Sequence, residues 1–174
     1  MNKLILLLMM IPGLAFGQRI WEDKIDKFSN KRKIETTFVP LTDSGLLGVD
    51  GGTLKAAIHQ ENGLNYLVFL YYTKNPTFIS EGDKVFLLDE DSNKYMFEVV
   101  SNYDSIINKQ PLTDLIYHTL QFRALGDLSV LENKKFTDLR LVRNDKYVDF
   151  LFKEKFQINL SKLYKVFADN LHKK

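Results

Sequence analysis

The chain has 174 residues, with 24 Lys and Arg against 22 Asp and Glu, and it contains no cysteine. The absence of cysteine excludes disulfides, thiol nucleophiles and cysteine-bound zinc. The nearly balanced net charge is not that of a nucleic-acid-binding protein, which carries a large excess of basic residues. Aromatic residues are plentiful, with 13 Phe, 8 Tyr and 1 Trp, which is typical of sheet cores. Alternatively, some of these aromatic residues are exposed and form the sugar-binding surface of a carbohydrate-binding module.

The first 17 residues have the pattern of a cleaved export signal. Lys3 supplies a positive charge, residues 4–11 are an unbroken apolar run, and Ala15-Phe16-Gly17 places small residues before Gln18. The run is shorter than the roughly 20 residues that a membrane-spanning helix needs, so an uncleaved anchor is the weaker alternative. No cysteine follows the cleavage point, so no lipid anchor is expected there.

We expect cleavage after Gly17 and export of residues 18–174 to the periplasm or beyond. Lys3 is the only charged residue lost, which leaves 157 residues with 23 basic against 22 acidic side chains. This length is that of one domain with a sizeable core. Repeats and linkers are absent from the sequence, and we predict a single domain over 18–174.

The dipeptide Asn62-Gly63 is the clearest local signal in the chain. It separates residues 54–61 from residues 64–73, and both stretches suit β-strands. Asn-Gly accepts the positive φ angles of a two-residue hairpin turn. The implied cross-strand pairs are Glu61 with Leu64, His59 with Tyr66, Ile58 with Leu67, and Ala56 with Phe69. Residues 64–72 are apolar on both faces, which predicts a central strand covered on both sides.

Further strands follow the same logic. Residues 84–89 and 94–101 predict a second hairpin, and residues 136–142 and 147–152 predict a third. Residues 33–39 and 115–124 are additional strand candidates. Short strands separated by turn signals favour an antiparallel sandwich or a barrel-like arrangement.

Two helices are expected. Asp127 can cap a short helix over residues 128–132. The second helix closes the chain over residues 160–172, with Ser161 or Asn159 as its cap. Its apolar residues recur at spacings of three and four: Leu160, Leu163, Tyr164, Phe167 and Leu171. The cations toward its C-terminal end suit the helix dipole.

Two motifs resemble ligand-binding loops without completing them. Asp89-Glu90-Asp91-Ser92-Asn93 opens like a calcium loop, but Lys94 and Val100 stand where the loop needs Gly and a bidentate Glu. An exposed hairpin turn is the favoured interpretation. The glycine-rich stretch 48–53 lacks the Gly-Lys-Ser/Thr ending of a phosphate loop. It is interpreted as a connection into the strand that begins near Leu54.

The titratable residues offer only isolated candidates. His59, His118 and His172 do not have the spacing of a helical metal pair, although His59 and His118 could meet across a sheet and bind zinc with a carboxylate. Glu98 and Asp149 each interrupt an apolar strand and are the best candidates for a pair of glycosidase carboxylates. Solvated positions at strand edges are the favoured interpretation of both. No G-x-S-x-G elbow is present.

Two basic segments have similar alternatives. The C-terminal helix carries cations beside an apolar stripe and could lie on a membrane surface, but packing against the domain is favoured. Lys31-Arg32-Lys33 is interpreted as the solvated start of a strand and not as a docking patch.

Several segments together carry a resemblance. They are residues 26–28 with the strand 33–38 that follows, residues 79–85 before the second hairpin, and residues 139–142 with 147–150 before the final helix. In this order the chain resembles small exported β-rich domains of uncharacterised function from Gram-negative bacterial envelopes. The resemblance covers most of residues 18–174. It implies a β-rich fold with a C-terminal helix and supplies no active-site residue.

The sequence thus predicts a mainly β chain: a single antiparallel β-sandwich or barrel-like domain with a short internal helix and a C-terminal amphipathic helix. We expect an exported, non-catalytic binding or interaction protein of the cell envelope. Its expected partner is an envelope protein or a glycan and not nucleic acid. An envelope hydrolase acting on glycans and a carbohydrate-binding module are the alternatives. No catalytic, cofactor-binding or metal-binding residue is assigned.

Overall fold

The computed structural model describes residues 18–25, 27, 30–43, 53–73, 79–109, 116–143 and 146–171, and for residues 102–109, 116 and 117 it describes the backbone. The predicted connection over residues 48–53 lies outside the described residues except for Thr53. The strands are β1 (Ile20–Ile25), β2 (Arg32–Thr36), β3 (Val39–Pro40), β4 (Thr53–Glu61), β5 (Leu64–Thr73), β6 (Lys84–Asp89), β7 (Lys94–Lys109), β8 (Ile116–Leu125), β9 (Phe136–Arg143) and β10 (Lys146–Leu151). The helix α1 covers Asn159–Leu171, and short 3-10 helices cover Leu128–Leu131 and Glu154–Phe156.

The strands form one antiparallel sheet. Its order is β1-β2-β4-β5-β8-β7-β6-β9-β10, and the short β3 pairs with β4 beside β2. The mainly β, antiparallel class predicted from the sequence is therefore confirmed. Of the two arrangements left open, a single sheet fits the barrel-like one and not a sandwich of two separate sheets.

The hairpin of β4 and β5 lies in the interior of the sheet and has the predicted register. Asn62 and Gly63 both have positive φ angles, 56° and 81°, as the two-residue turn requires. Ile58 pairs with Leu67 and Ala56 pairs with Phe69, as expected. These four side chains belong to the core, and Ala57 and Val68 on the opposite face are also buried. The predicted interior position of this strand is confirmed, but its outer face is covered only in part, since Tyr66, Leu70 and Tyr72 are half-buried and Leu64 is exposed.

The sheet curves until distant strands meet across its inner face. The rings of Tyr71 in β5 and Phe150 in β10 lie 5.0 Å apart, with their planes at 88°. These strands are five steps apart in the sheet, which in a flat sheet is about 24 Å. Twist and β-bulges supply the curvature, and β7 is irregular at two points along β8. The inner face therefore encloses the core.

The helix α1 closes one part of this core. Leu160, Leu163 and Phe167 are fully buried in the core cluster, while Tyr164 and Leu171 pack partly against it. The prediction that this helix packs on the domain is confirmed. The ends of the helix also agree with the predicted range 160–172 within one residue. Asp127 also caps its 3-10 helix as predicted, because its carboxylate accepts a hydrogen bond from the Ser129 amide at 2.9 Å.

Candidate binding surface

Glu98 lies on the outer face of the sheet, which is the face away from the core. It stands in β7 directly opposite Lys84 of β6 and forms an ion pair with that lysine. Half of the Glu98 side chain is exposed to solvent. The side chain is solvated as the sequence predicts, but β7 is an interior strand of the sheet and not an edge, and the carboxylate is held by Lys84.

Asp149 also lies on the outer face, in the end strand β10. It stands opposite Arg140 of β9, whose guanidinium donates two hydrogen bonds to the carboxylate at 2.6 and 2.7 Å. Both side chains are more than two-fifths exposed. A bidentate pair of this kind fixes the geometry of both groups.

The structure does not bring Glu98 and Asp149 together. The strands β6 and β9 lie between β7 and β10, so three strand spacings, about 14 Å, separate the two positions along the sheet. Paired carboxylates of glycosidases lie roughly 5–9.5 Å apart. The geometry that motivated a hydrolase is therefore missing at these two residues.

The histidines do not meet either. His59 in β4 stands opposite Tyr66 on the outer face, and His118 in β8 stands opposite Thr73 on the inner face. Tyr66 and Thr73 are seven residues apart on β5, which is about 23 Å along a strand. His172 lies outside the described residues. Within the described part of the chain no group of three potential metal-ligating side chains is found.

His59 lies in a small polar cluster on the outer face. It is 7% exposed, its ring is edge-on to Phe38, and its Nδ1 lies 3.8 Å from a carboxylate oxygen of Glu35. Burial lowers the pKa of His59, and the Glu35 charge opposes that shift only partly. Lys33 neutralises Glu35 at 2.6 Å, and Arg123 pairs with Glu61 at 2.7 Å. The imidazole is therefore held neutral beside charges that already compensate one another.

The turn after β6 is held together by Asp89, which is 4% exposed. Its carboxylate accepts hydrogen bonds from backbone and side-chain donors: the amides of Asp91 and Asn93, the Asn93 side chain, the Tyr95 hydroxyl and the Lys134 ammonium. Burial would raise the pKa of Asp89, but these bonds outweigh burial and hold that pKa far below its usual range. The Asp89 carboxylate is thus bound by protein donors, and the predicted hairpin turn is observed.

Few aromatic rings are open to solvent among the described side chains. The strongly exposed ones are Trp21 in β1 and Tyr147 in β10, at 68% and 61%. These two strands lie at opposite ends of the sheet order. Arg140 lies 4.2 Å over the Tyr147 ring, so one face of that ring carries a cation. Two adjacent coplanar rings, which a carbohydrate platform needs, are not seen in this set.

Among the described residues, a group of exposed apolar side chains lies on the outer face between β7 and β10. Met96, Phe86, Arg140 and Asp149 pair in turn across β7, β6, β9 and β10, so they form one row on one face. Tyr147 and Leu151 flank Asp149 on β10. Met96, Tyr147 and Leu151 are 56%, 61% and 74% exposed. We call these six residues the β10 patch.

The β10 patch adjoins an open edge of the sheet. Within the described ranges β10 pairs only with β9, and β1 at the opposite end pairs only with β2. The register of β9 with β10 is continuous, without a bulge. An edge strand of this kind presents unpaired backbone N–H and C=O groups to any extended chain that approaches.

Comparisons of the chain with protein-family models, with curated protein sequences and with solved structures each gave no match. In the part of the chain that the structure describes, no helix has both the length and the apolar character needed to cross a membrane. A role for the β10 patch must therefore be inferred from the chemistry of its own side chains.

Sequence reasoning did not identify the β10 patch as a site. The alternation of Tyr147, Asp149 and Leu151 on one strand face was visible, but the position of β10 at the end of the sheet was not. Residues 31–33 lie at the start of β2, as the sequence predicts. Arg32 binds Asp23, and Lys33 binds Glu35.

Proposed function

We propose that the chain is exported and acts, from Gln18 onward, as a non-catalytic binding or interaction protein of the bacterial cell envelope. The observation that carries this proposal is the β10 patch beside an open sheet edge. Exposed apolar side chains grouped on one face are typical of protein interaction sites. A sheet edge adds main-chain hydrogen bonding, which gives affinity for an extended partner.

The state of the titratable groups supports a role in binding over a role in catalysis. Glu98, Asp149 and Asp89 each bind a lysine or arginine side chain. A general acid or base needs a group that is free to exchange its proton near the operating pH. Carboxylates held by cations stabilise the strands and turns that present the patch instead.

The proposed location rests on the sequence. The charged start, the apolar run of residues 4–11 and the small residues before Gln18 are those of a secretory signal. The resemblance to small exported envelope domains supports the same location. Nothing in the mature sequence suggests nucleic acid as a partner, because its charge is nearly balanced.

One experiment tests both parts of the proposal. The full chain is expressed in a Gram-negative host with a C-terminal affinity tag and recovered from the periplasmic fraction. We expect its N-terminal peptide to begin at Gln18. We also expect a specific envelope component to be recovered with it, and to be lost when Tyr147→Lys and Leu151→Lys are introduced together.

The matched control is Leu64→Lys. Leu64 is 49% exposed on the same outer face but lies at the far tip of the β4–β5 hairpin. This variant is expected to keep the partner. An uncleaved chain in the cytoplasm contradicts the export proposal. Recovery of the same components with all three proteins contradicts binding through the β10 patch.

A further inference from the structure

Within the described ranges no strand pairs with the outer edge of β10, and this edge has little of the usual protection against strand pairing. Natural edge strands carry charged side chains, prolines or bulges that discourage pairing with another chain. The charged residues of β10 are Lys146 at its first position and Asp149, which forms an ion pair with Arg140, and no proline or bulge interrupts the strand. Tyr147 and Leu151 are instead among the most exposed apolar side chains described in the structure. This edge is suited to being covered.

The residue pattern of β10 indicates which partner strand can pair with it. Two copies of β10 can pair antiparallel about a two-fold axis, and directly opposite residues then share a face. With the axis at Asp149, Tyr147 of one copy stands opposite Leu151 of the other. On the inner face Val148 stands opposite Phe150. Every apolar side chain named here meets an apolar side chain.

Neighbouring registers give poorer pairs. With the axis at Val148, Tyr147 stands opposite Asp149 of the second copy. With the axis at Phe150, Leu151 stands opposite Asp149. Both registers set an apolar side chain against a carboxylate, while cross-strand apolar pairs are favourable. The register centred on Asp149 is therefore selected.

The charges at the centre of this register are compensated. The two Asp149 carboxylates face each other, which is unfavourable for bare charges. Each carboxylate, however, holds two hydrogen bonds from its own Arg140. Across the axis the charges follow the order arginine, aspartate, aspartate, arginine. Arg140 also lies over the Tyr147 ring, so the same guanidinium orients the apolar side chain that meets the second copy.

We propose that a second copy of this chain pairs with β10 in this register and joins the two sheets into one. The proposal deepens the proposed function, since it names a partner for the β10 patch. An interface built on one six-residue strand and the side chains around it is small. Small interfaces give weak, concentration-dependent complexes, and a reversible dimer is expected.

Cysteine cross-linking tests the register directly, because the chain has no cysteine of its own. Tyr147→Cys and Leu151→Cys are made separately in the mature chain. In the proposed register these positions face each other across the axis, within the Cα separation of roughly 4.4–6.8 Å that a disulfide spans. Two copies of position 147 lie four residues apart along the strands, about 13 Å.

Mild oxidation of an equal mixture of the two variants is expected to give several-fold more disulfide dimer than oxidation of either variant alone. Equal yields in the three samples contradict the register. Absence of any cross-link at high protein concentration contradicts the pairing itself. Circular dichroism of each variant shows whether its fold is retained.

Sedimentation equilibrium separates this inference from the proposed function. The wild type and Leu64→Lys are expected to dimerise reversibly, because Leu64 lies at the tip of the β4–β5 hairpin, outside the β10 patch. The double variant with Tyr147→Lys and Leu151→Lys is expected to stay monomeric. If the wild type is monomeric but still binds an envelope component through the patch, the second copy is excluded while the proposed function stands.

Discussion

His59 is an ionisable residue whose ring is almost completely buried on the outer face of the sheet. The side chain is 7% exposed, and burial lowers its pKa below the ordinary value near 6.5. Four charged groups also act on the ring. Glu35 and Glu61 raise the pKa of His59, and Lys33 and Arg123 lower it. Such a histidine is expected to be neutral in the folded protein at pH 7.

This arrangement makes folding stability depend on pH. As the pH falls through about 6.5, His59 in the unfolded chain binds a proton before the buried ring does. The unfolded state is then favoured, so stability is present above that pH and is lost as the pH falls toward the lower folded pKa. We expect the urea midpoint of the wild type to fall between pH 7.5 and 5.5, and to fall less in His59→Gln. Equal losses in both proteins would show that other groups dominate.

Among the elements, α1 is joined to the sheet at its C-terminal end by Arg32. Arg32 at the start of β2 donates hydrogen bonds to the carbonyl oxygens of Leu171 and Asn170, at 3.1 and 2.9 Å. It also donates to Asp23 of β1. A cation at the C-terminal end of a helix donates to the carbonyls of the last turn and complements the helix dipole. Arg32 therefore connects β1, β2 and α1.

Replacement of Arg32 by alanine is expected to lower the free energy of unfolding by about 1–2 kcal/mol, as for the loss of hydrogen bonds from a charged donor. The last turn of α1 is expected to exchange its amide hydrogens faster. The matched control is Lys24→Ala, which removes an exposed ion pair with Glu22 in β1 and is expected to change stability little. Equal effects of the two substitutions would contradict the connecting role. Chemical denaturation and hydrogen exchange supply the two measurements.

Elements with strong local signals were the ones that the sequence predicted well. Asn62-Gly63 determines its turn and register within a few residues, and the apolar spacing of α1 is equally local. β1 was missed, because Glu22, Asp23 and Lys24 give its six residues no apolar alternation. Its pairing with β2 and the contacts of Arg32 hold it in the sheet. The polar continuation of β7 over residues 102–109 was missed for the same reason.

On the scale of the whole molecule, the site depends on strand order, which no local pattern encodes. Glu98, Arg140 and Asp149 were each visible as charged residues in strands. Which of them meet depends on β6 and β9 being inserted between β7 and β10. The same order leaves β10 at an end of the sheet and groups Met96, Tyr147 and Leu151 on one side of it. The prediction of an interaction protein could be made from the sequence, but its surface could not.

The central claim is that the edge of β10 pairs with a second copy of this chain. Hydrogen–deuterium exchange of residues 18–174, in dilute and concentrated solution, tests it most directly, since edge amides gain partners only when another strand pairs with them. The peptide covering Lys146–Leu151 is expected to exchange more slowly in the concentrated sample, while Ile20–Ile25 at the opposite edge stays unchanged. Identical exchange of Lys146–Leu151 in both samples, or equal slowing at both edges, would contradict the claim.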